Sequence, residues 1–319
     1  MVVTIKEIAR LAGVTHPVVS AVLNGTTASR VSPEKRQRIQ EIVKELNYRP
    51  NFAAKSLVRQ RTHMLGFICG DIDIPYFSEI TTALLEEAEI HGYRLMSLMT
   101  DWNHEKELER LNLLMDSSVD GIIMYSEALM PETSEYQKLK QNKFPLVLLE
   151  NLSPGFAGIK FNMRPGMEKL FEFLLQTGHR RIATAHSVID HIGKMDAYMH
   201  CCRKYGVELL EYSYPNDNSK ELSSKWIAEC ASKIAGSQNM PDALVMLSDF
   251  DALIMISVLC KSGIKIPEDM SVTGIDGTTM SGFYNPPLTS ILKDRKTMAN
   301  MAINELLEQI NNMANYQPR

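Results

Sequence analysis

No apolar run in the 319 residues reaches the roughly 18 to 20 needed to cross a bilayer, which excludes a long hydrophobic spanning helix. The opening MVVTIKEIARLAG has no basic segment leading into a long apolar core, so no secretory leader is read there and a cytoplasmic protein is expected. P-loop, GxGxxG, HExxH and GxSxG runs are all missing, so no enzyme class has a supporting constellation, and neither a cofactor nor a metal is expected. The five cysteines are an odd number without metal-ligand spacing, and Cys201 and Cys202 are neighbours, a poor geometry for a structural bridge. Free thiols in a reducing compartment follow.

What is present is an ordinary globular composition, 45% hydrophobic and 23% charged, with length for two or three domains. The net charge of −4 hides an asymmetry: residues 1–61 carry 11 Lys/Arg against 4 Asp/Glu, and the remainder 23 against 34. A basic head on an acidic body points to nucleic acid, because the body alone would repel it. A merely solvated basic face is the plainer alternative.

The head reads as three short helices. Thr4 with Glu7 fits a capping box, and Ile5, Ile8, Ala9 and Leu11 give an amphipathic stripe. Gly13 permits a sharp turn. Thr15 can cap a second helix, with Pro17 in its first turn, where a missing N–H does no harm. On a helical wheel with His16 at zero, Ser20, Asn24, Pro17 and Ala21 fall between about 40° and 140°. Val18, Val19, Val22 and Leu23 fall between about 200° and 340°. The valine face must pack inward, which leaves the other face for something outside the fold. Ser32-Pro33 opens a third helix with Ile39, Ile42, Val43 and Leu46 on its stripe. Helix, glycine turn, short helix and supporting helix make a helix-turn-helix, whose second helix lies in the major groove.

The run TIKEIARLAGVT, VVSAVLNG, then VSPEKRQRIQEIVKELNYRPNFAAKSL closely resembles the N-terminal module of the lactose/galactose repressor family of bacterial transcription regulators. The resemblance continues through DIDIPYF, GHRRI, IPEDMSVTGID and PPLTSI. It implies that His16, Pro17 and Ala21 read bases and that Thr4, Thr15, Ser20 and Asn24 meet phosphates. Pro17 and Ala21 cannot make bidentate contacts, so apolar and shape readout is expected, for example against thymine methyls. The loop GTTASR is longer than the family's usual one and is expected to bring Arg30 near a phosphate. The resemblance also implies a hinge helix, capped by Asn51, that forms only on operator DNA. Ala53 and Ala54 would allow close approach to its dimer mate and Leu57 would wedge into the minor groove, with Lys55, Arg59 and Arg61 around it, so a strong salt dependence is expected. An anchor onto the body is the plainer role for Leu57.

From residue 62 short apolar strands alternate with helices of 12 to 16 residues, the mark of βαβ units and a parallel sheet. The alternation restarts after GIKFNMRPG. The alternation predicts two doubly wound parallel-sheet subdomains behind an all-α helix-turn-helix headpiece, and the resemblance implies that this α/β body is periplasmic-binding-protein-like. The expected boundaries are 1–50 for the headpiece and 51–61 for the hinge. The first subdomain would comprise 62–161 with 289–319, and the second 162–288. Ligands on open α/β sheets bind beyond the carboxyl ends of strands, which selects Asp71, Tyr76, Phe77, the turn at Glu150–Asn151, Asn162, His186, Lys194, Ser248 with Asp249, and Asp276. Each has a plainer role: Asp71 and Asp249 as helix caps, Phe77 as core, His186 as a loop histidine. The family's usual effector arginine reads Lys194 here, a point donor that does not copy a guanidinium fork. The family's usual aspartate likewise reads Asn162, and its Asp-Asp pair reads Asp276-Gly277.

His179 is expected to be structural, and His104, Glu105 and Glu107 a solvated helix start rather than a metal site. The resulting expectation is a homodimeric regulator, most simply a repressor of a carbohydrate-related operon. It would bind pseudo-palindromic double-stranded DNA under control of a sugar-like small molecule, with no membrane partner. Two alternatives stay open: control by a partner protein, and a sugar-binding transport protein.

Overall fold

The computed structural model describes residues 3–24, 31–48, 61–117, 119–126, 128–187, 193–214 and 220–312, with the side chains of 24, 187, 214 and 220–224 left aside. Arg30, Asn51, Ala54, Lys55 and Leu57 lie outside the described residues. The chain divides into two compact units, Met1–Thr62 and His63–Arg319.

The first unit holds helices Ile5–Leu11, His16–Asn24 and Pro33–Glu45. Thr4 Oγ1 accepts from Glu7 N at 3.4 Å, as expected of a cap, and Ser32 Oγ caps the third helix by accepting from Lys35 N at 3.5 Å. Gly13 takes φ +63°, which turns the chain between the first two helices. Ile8, Ala9, Val19, Ile39 and Ile42 form the core, with Val18, Val22, Leu23, Val43 and Leu46 packed against it.

The second unit holds two five-stranded parallel sheets. The first contains β1 (Met64–Cys69), β2 (Arg94–Met99), β3 (Gly121–Met124), β4 (Leu146–Leu149) and β5 (Ala157–Ile159), in the order β2-β1-β3-β4-β5. The second contains β6 (Ile182–Ser187), β7 (Leu210–Tyr214), β8 (Ala243–Met246), β9 (Ser271–Asp276) and β10 (Thr289–Leu292), in the order β10-β9-β8-β6-β7. Both faces are covered, which is why the central strands read as continuous apolar runs. Alternate residues of β1 go to opposite cores. Leu65, Phe67 and Cys69 meet helices Pro75–Ile90 and Arg295–Asn311, while Ile68 meets Leu111 and Leu114. In the second sheet Ile182, Val245 and Ile275 pack with Phe171 and Tyr198, and Ala185, Leu244 and Met246 with Ile234 and Met255 on the far face.

The chain's return from the second sheet falls later than expected. Thr289–Leu292 does not return to the first half: it pairs in parallel with Thr273–Asp276. Ile291 is buried with Met163 and Met167 of the second half. Only from Arg295 does the chain pack on the first sheet, where Gln309 brackets Leu146 by accepting from its N at 2.8 Å and donating to its O at 3.0 Å. The crossing therefore falls at Lys293–Asp294. The cause is that Leu288 and Ile291 are needed to fill the second core, which four residues of strand pattern do not announce.

Cys69, Cys201, Cys202 and Cys230 are buried and Cys260 is exposed. Burial pushes the thiols of Cys69 and Cys201 up to about 12 and that of Cys230 to about 11. The native chain is therefore expected to yield one fast-reacting thiol to an aromatic disulfide reagent at neutral pH and five after denaturation. Cys260→Ser should remove the fast phase.

Candidate functional site

In the headpiece the second helix starts at His16, where Thr15 O accepts from Val18 N at 3.0 Å and Val19 N at 3.3 Å. His16 and Pro17 are exposed, Ser20 and Ala21 half-buried, and Val19 fully buried. The wheel thus separates as the sequence requires, with valines against Ile8 and Ile39 and the second set turned from the core. Thr4 and Thr15 are exposed at the starts of the first two helices. No carboxylate lies in the first turn of the helix His16–Asn24, so its partly positive amino end meets no local anion. This face offers a small apolar surface with one imidazole.

In the body, the carboxyl ends of the two sheets meet around one lysine. Lys293, just past β10, is 1% exposed. Its Nζ lies 2.5 Å from Glu150 Oε1, just past β4 of the first sheet, and 3.8 Å from Asp276 Oδ1, the last residue of β9. The same ammonium sits 4.1 Å from the ring centroid of Tyr76 on helix Pro75–Ile90. Lys194 Nζ reaches Asp276 Oδ1 at 3.6 Å and donates to Leu247 O at 2.5 Å. Tyr76 and Tyr125 share a 2.6 Å hydroxyl contact. Burial pushes both phenols far above their ordinary range, with the nearby Glu150 carboxylate acting in the same direction. Both therefore stay protonated, as donors or acceptors of neutral hydrogen bonds.

Of the residues selected from sequence, Tyr76, Lys194 and Asp276 come together here. Phe77 lies in the first core, edge-on to Trp102 and Tyr125 at 5.1 Å each. Trp102 covers Gly70 so closely that a Cβ there would fall 2.3 Å from the indole. Asp71 opens the turn into helix Pro75–Ile90, its Oδ1 accepting from Asp73 N at 2.9 Å. His186, at the end of β6, bonds Glu211 at 2.9 Å. Ser248 caps helix Asp249–Lys261, its Oγ accepting from Asp251 N at 3.3 Å. Asn162 is exposed where the chain passes to the second half, accepting from Arg164 N at 3.3 Å.

Asp249 is not a cap. Its Oδ2 accepts from Thr278 N at 2.8 Å and Thr278 Oγ1 at 3.1 Å, and its Oδ1 from Ser290 Oγ at 2.5 Å, tying the ends of β8, β9 and β10 together. Glu107 also departs from the solvated reading: it is buried, and Ser126 Oγ and Ala128 N donate to its Oε1 at 2.5 and 3.1 Å. His179 is structural, with Nε2 at 2.9 Å from Ser271 Oγ. Sequence reasoning missed Lys293 and Tyr125, and named Glu150 only as part of a turn. A lysine after a strand looks solvated until tertiary packing buries it.

Residues 4–51 match the family described as bacterial regulatory proteins, lacI family, and residues 171–319 match a periplasmic binding protein-like domain. An HTH-type transcriptional repressor PurR from Aliivibrio fischeri is 30% identical over 321 residues, spanning 96% of this chain and 91% of that one. The chain belongs to the lacI family of bacterial regulatory proteins. As a lacI-family member it is a DNA-binding transcription regulator with an effector-binding body, and not an enzyme. The fold agrees with a lac repressor dimer bound to operator and the anti-inducer ONPF, at TM-score 0.82 and 21% identity over 100% of this chain and 96% of that one. The body resembles an Alkaliphilus metalliredigens periplasmic binding protein/LacI transcriptional regulator complexed with D-xylulofuranose. That match has TM-score 0.70 and 22% identity, over 78% of this chain and 91% of that one. Among the described residues no helix is long and apolar enough to cross a membrane, and no group of His, Cys, Asp and Glu is placed to hold a metal.

Proposed function

We propose that the chain is a repressor that binds a pseudo-palindromic operator as a homodimer and changes its operator affinity when a small polyhydroxylated metabolite enters the body. The observation that carries the reading is the exposed His16–Pro17 face on a helix whose opposite side is fixed by Val19. His16, Pro17 and Ala21 read the major groove. Thr4, Thr15, Ser20 and Asn24 lie along the phosphates, with Arg30 added by the loop. Asn51, Ala54, Lys55 and Leu57 form the hinge segment that enters the minor groove. Dimerisation is supported by the relative crystallised as a dimer on operator and by the exposed Met280 and Phe283, 54% and 80% accessible, which a monomer would leave in water.

The effector site is proposed at Tyr76, Lys194 and Asp276, with Asp71, Asn162, His186 and Ser248 at the strand ends around them and Phe77 behind. A sugar class is supported by the D-xylulofuranose held by the Alkaliphilus relative. The test is operator binding by the full chain against a panel of neutral sugars and polyols, with thermal stabilisation measured in parallel. A ligand that both stabilises the body and shifts operator affinity is expected. If no ligand stabilises the chain and an added protein shifts the affinity, control by a partner protein replaces this reading. In the hinge, Leu57→Ala is expected to weaken operator binding about tenfold, roughly 1.4 kcal/mol, with little change on random-sequence DNA. Equal loss on both would remove the wedge.

A further inference from the structure

The Lys293 ammonium lies where the two halves of the body meet, and its partners come from both. Glu150 and the Tyr76 ring belong to the first half and Asp276 to the second. Two residues on, Arg295 repeats the pattern. Its Nη2 pairs with Glu79 Oε2 on helix Pro75–Ile90 at 2.8 Å, while Nη1 donates to Asp276 O at 2.7 Å and Nη2 to Gly277 O at 3.0 Å. Glu79 Oε1 also accepts from Thr279 N of the second half at 2.8 Å. The short crossing segment between β10 and helix Arg295–Asn311 thus carries Lys293, with Arg295 opening the helix, and each cation holds a first-half carboxylate against the end of β9. Glu150 and Lys293 are 1% exposed, so their attraction is little screened by water. Separating the halves would break both ion pairs and hydrate their charges, whereas deleting one partner in the closed state would strand the other.

We propose that Lys293 and Glu150, backed by Arg295 and Glu79, form an internal latch that holds the two halves closed without a ligand. The ammonium supplies from within the chain the bridge that a bound molecule would otherwise provide. Effector entry then opens or replaces this latch and does not close an empty cleft. The inference rests on the reading of the body as effector-binding, but it is tested apart from any ligand.

The test is a spin-label distance between the native Cys260 on the second half and a cysteine at Glu109→Cys on the first, in the full ligand-free chain diluted with unlabelled chain. Both positions are exposed, and the other four cysteines are buried. The parent is expected to give one narrow distance. Lys293→Met and Glu150→Gln should each lengthen it by more than about 2 Å or broaden it. The deciding variant is the double Lys293→Met/Glu150→Gln, which leaves neither charge unpaired. It must remain open; a return to the parent distance would mean that the pair only neutralises itself, and the latch would be refuted. Glu79→Gln, at the less buried second point, covers the case in which the buried pair does not tolerate change, and it too must broaden the distribution. Parent-like distances in Glu79→Gln with an unfolded double variant would also refute the latch. A sugar panel without effect, alongside opening in the variants, would remove the effector reading and leave the latch standing.

Discussion

Val19→Asp is expected to abolish operator binding while the thermal transition of the body stays where it was. Val19 is fully buried among Ile8, Ile39 and Ile42. The whole first unit is 62 residues, and a domain of that size commonly has only about 3 to 5 kcal/mol to lose. A carboxylate at that centre costs several kcal/mol, whether it is held charged or protonated. The helix His16–Asn24 then loses the support that turns His16 and Pro17 outward. Because the body forms a separate unit with its own four core clusters, its calorimetric transition should not move. His16→Ala is the contrasting case. The side chain is exposed, so folding is untouched, but specific binding should weaken by about 1 to 2 kcal/mol with nonspecific binding kept. Full operator affinity in Val19→Asp would break the link between the valine core and the reading face.

Asp249→Ala should have the largest effect on the body. Thr278 N, Thr278 Oγ1 and Ser290 Oγ all donate to this carboxylate. A buried donor left without an acceptor costs about 1 to 3 kcal/mol. The hydroxyls can turn to other partners but the amide cannot, so a loss of about 3 kcal/mol is expected. At the scale of this body that lowers the melting midpoint by roughly 6 to 12 °C. Burial raises the Asp249 carboxyl above its ordinary range, despite the hydrogen bonds from Ser290 and Thr278. A raised folded-state value means that the contribution of this group to stability is full below the unfolded-state value and falls as pH rises through the folded-state value. Asp249→Asn keeps an acceptor and carries no charge, so it should lose much less than Asp249→Ala, and its deficit against the parent should shrink as pH rises above the ordinary aspartate range. Equal melting midpoints for Asp249→Ala and the parent would show that the three donors find other acceptors.

The headpiece was legible because every signal in it is local. Thr4 and Ser32 cap, Gly13 turns, and the valines of residues 18–22 keep one face. The two parallel sheets were legible for the same reason, through apolar runs alternating with helices. What sequence could not show was which charges the fold removes from water. Glu107 sits in a helix start that looks solvated, and Lys293 follows a four-residue strand. Both are held by residues distant in the chain: Glu107 by Ser126 and Ala128, Lys293 by Glu150 and Tyr76. Lys194 could be picked out as a donor near the strand ends, but its commitment to Leu247 O and Asp276 is a tertiary fact. The strand β10 was misplaced because its apolar residues fit either half until Met163 and Met167 are seen beside Ile291.

Selection of bound sequences from random duplex DNA by the purified full chain tests the central claim most directly. Enrichment of one twofold-symmetric site is expected, with His16→Ala relaxing the preference at the same position in both half-sites. Recovery of DNA with no symmetric consensus, bound no better than its scrambled form with or without a metabolite extract, would contradict it.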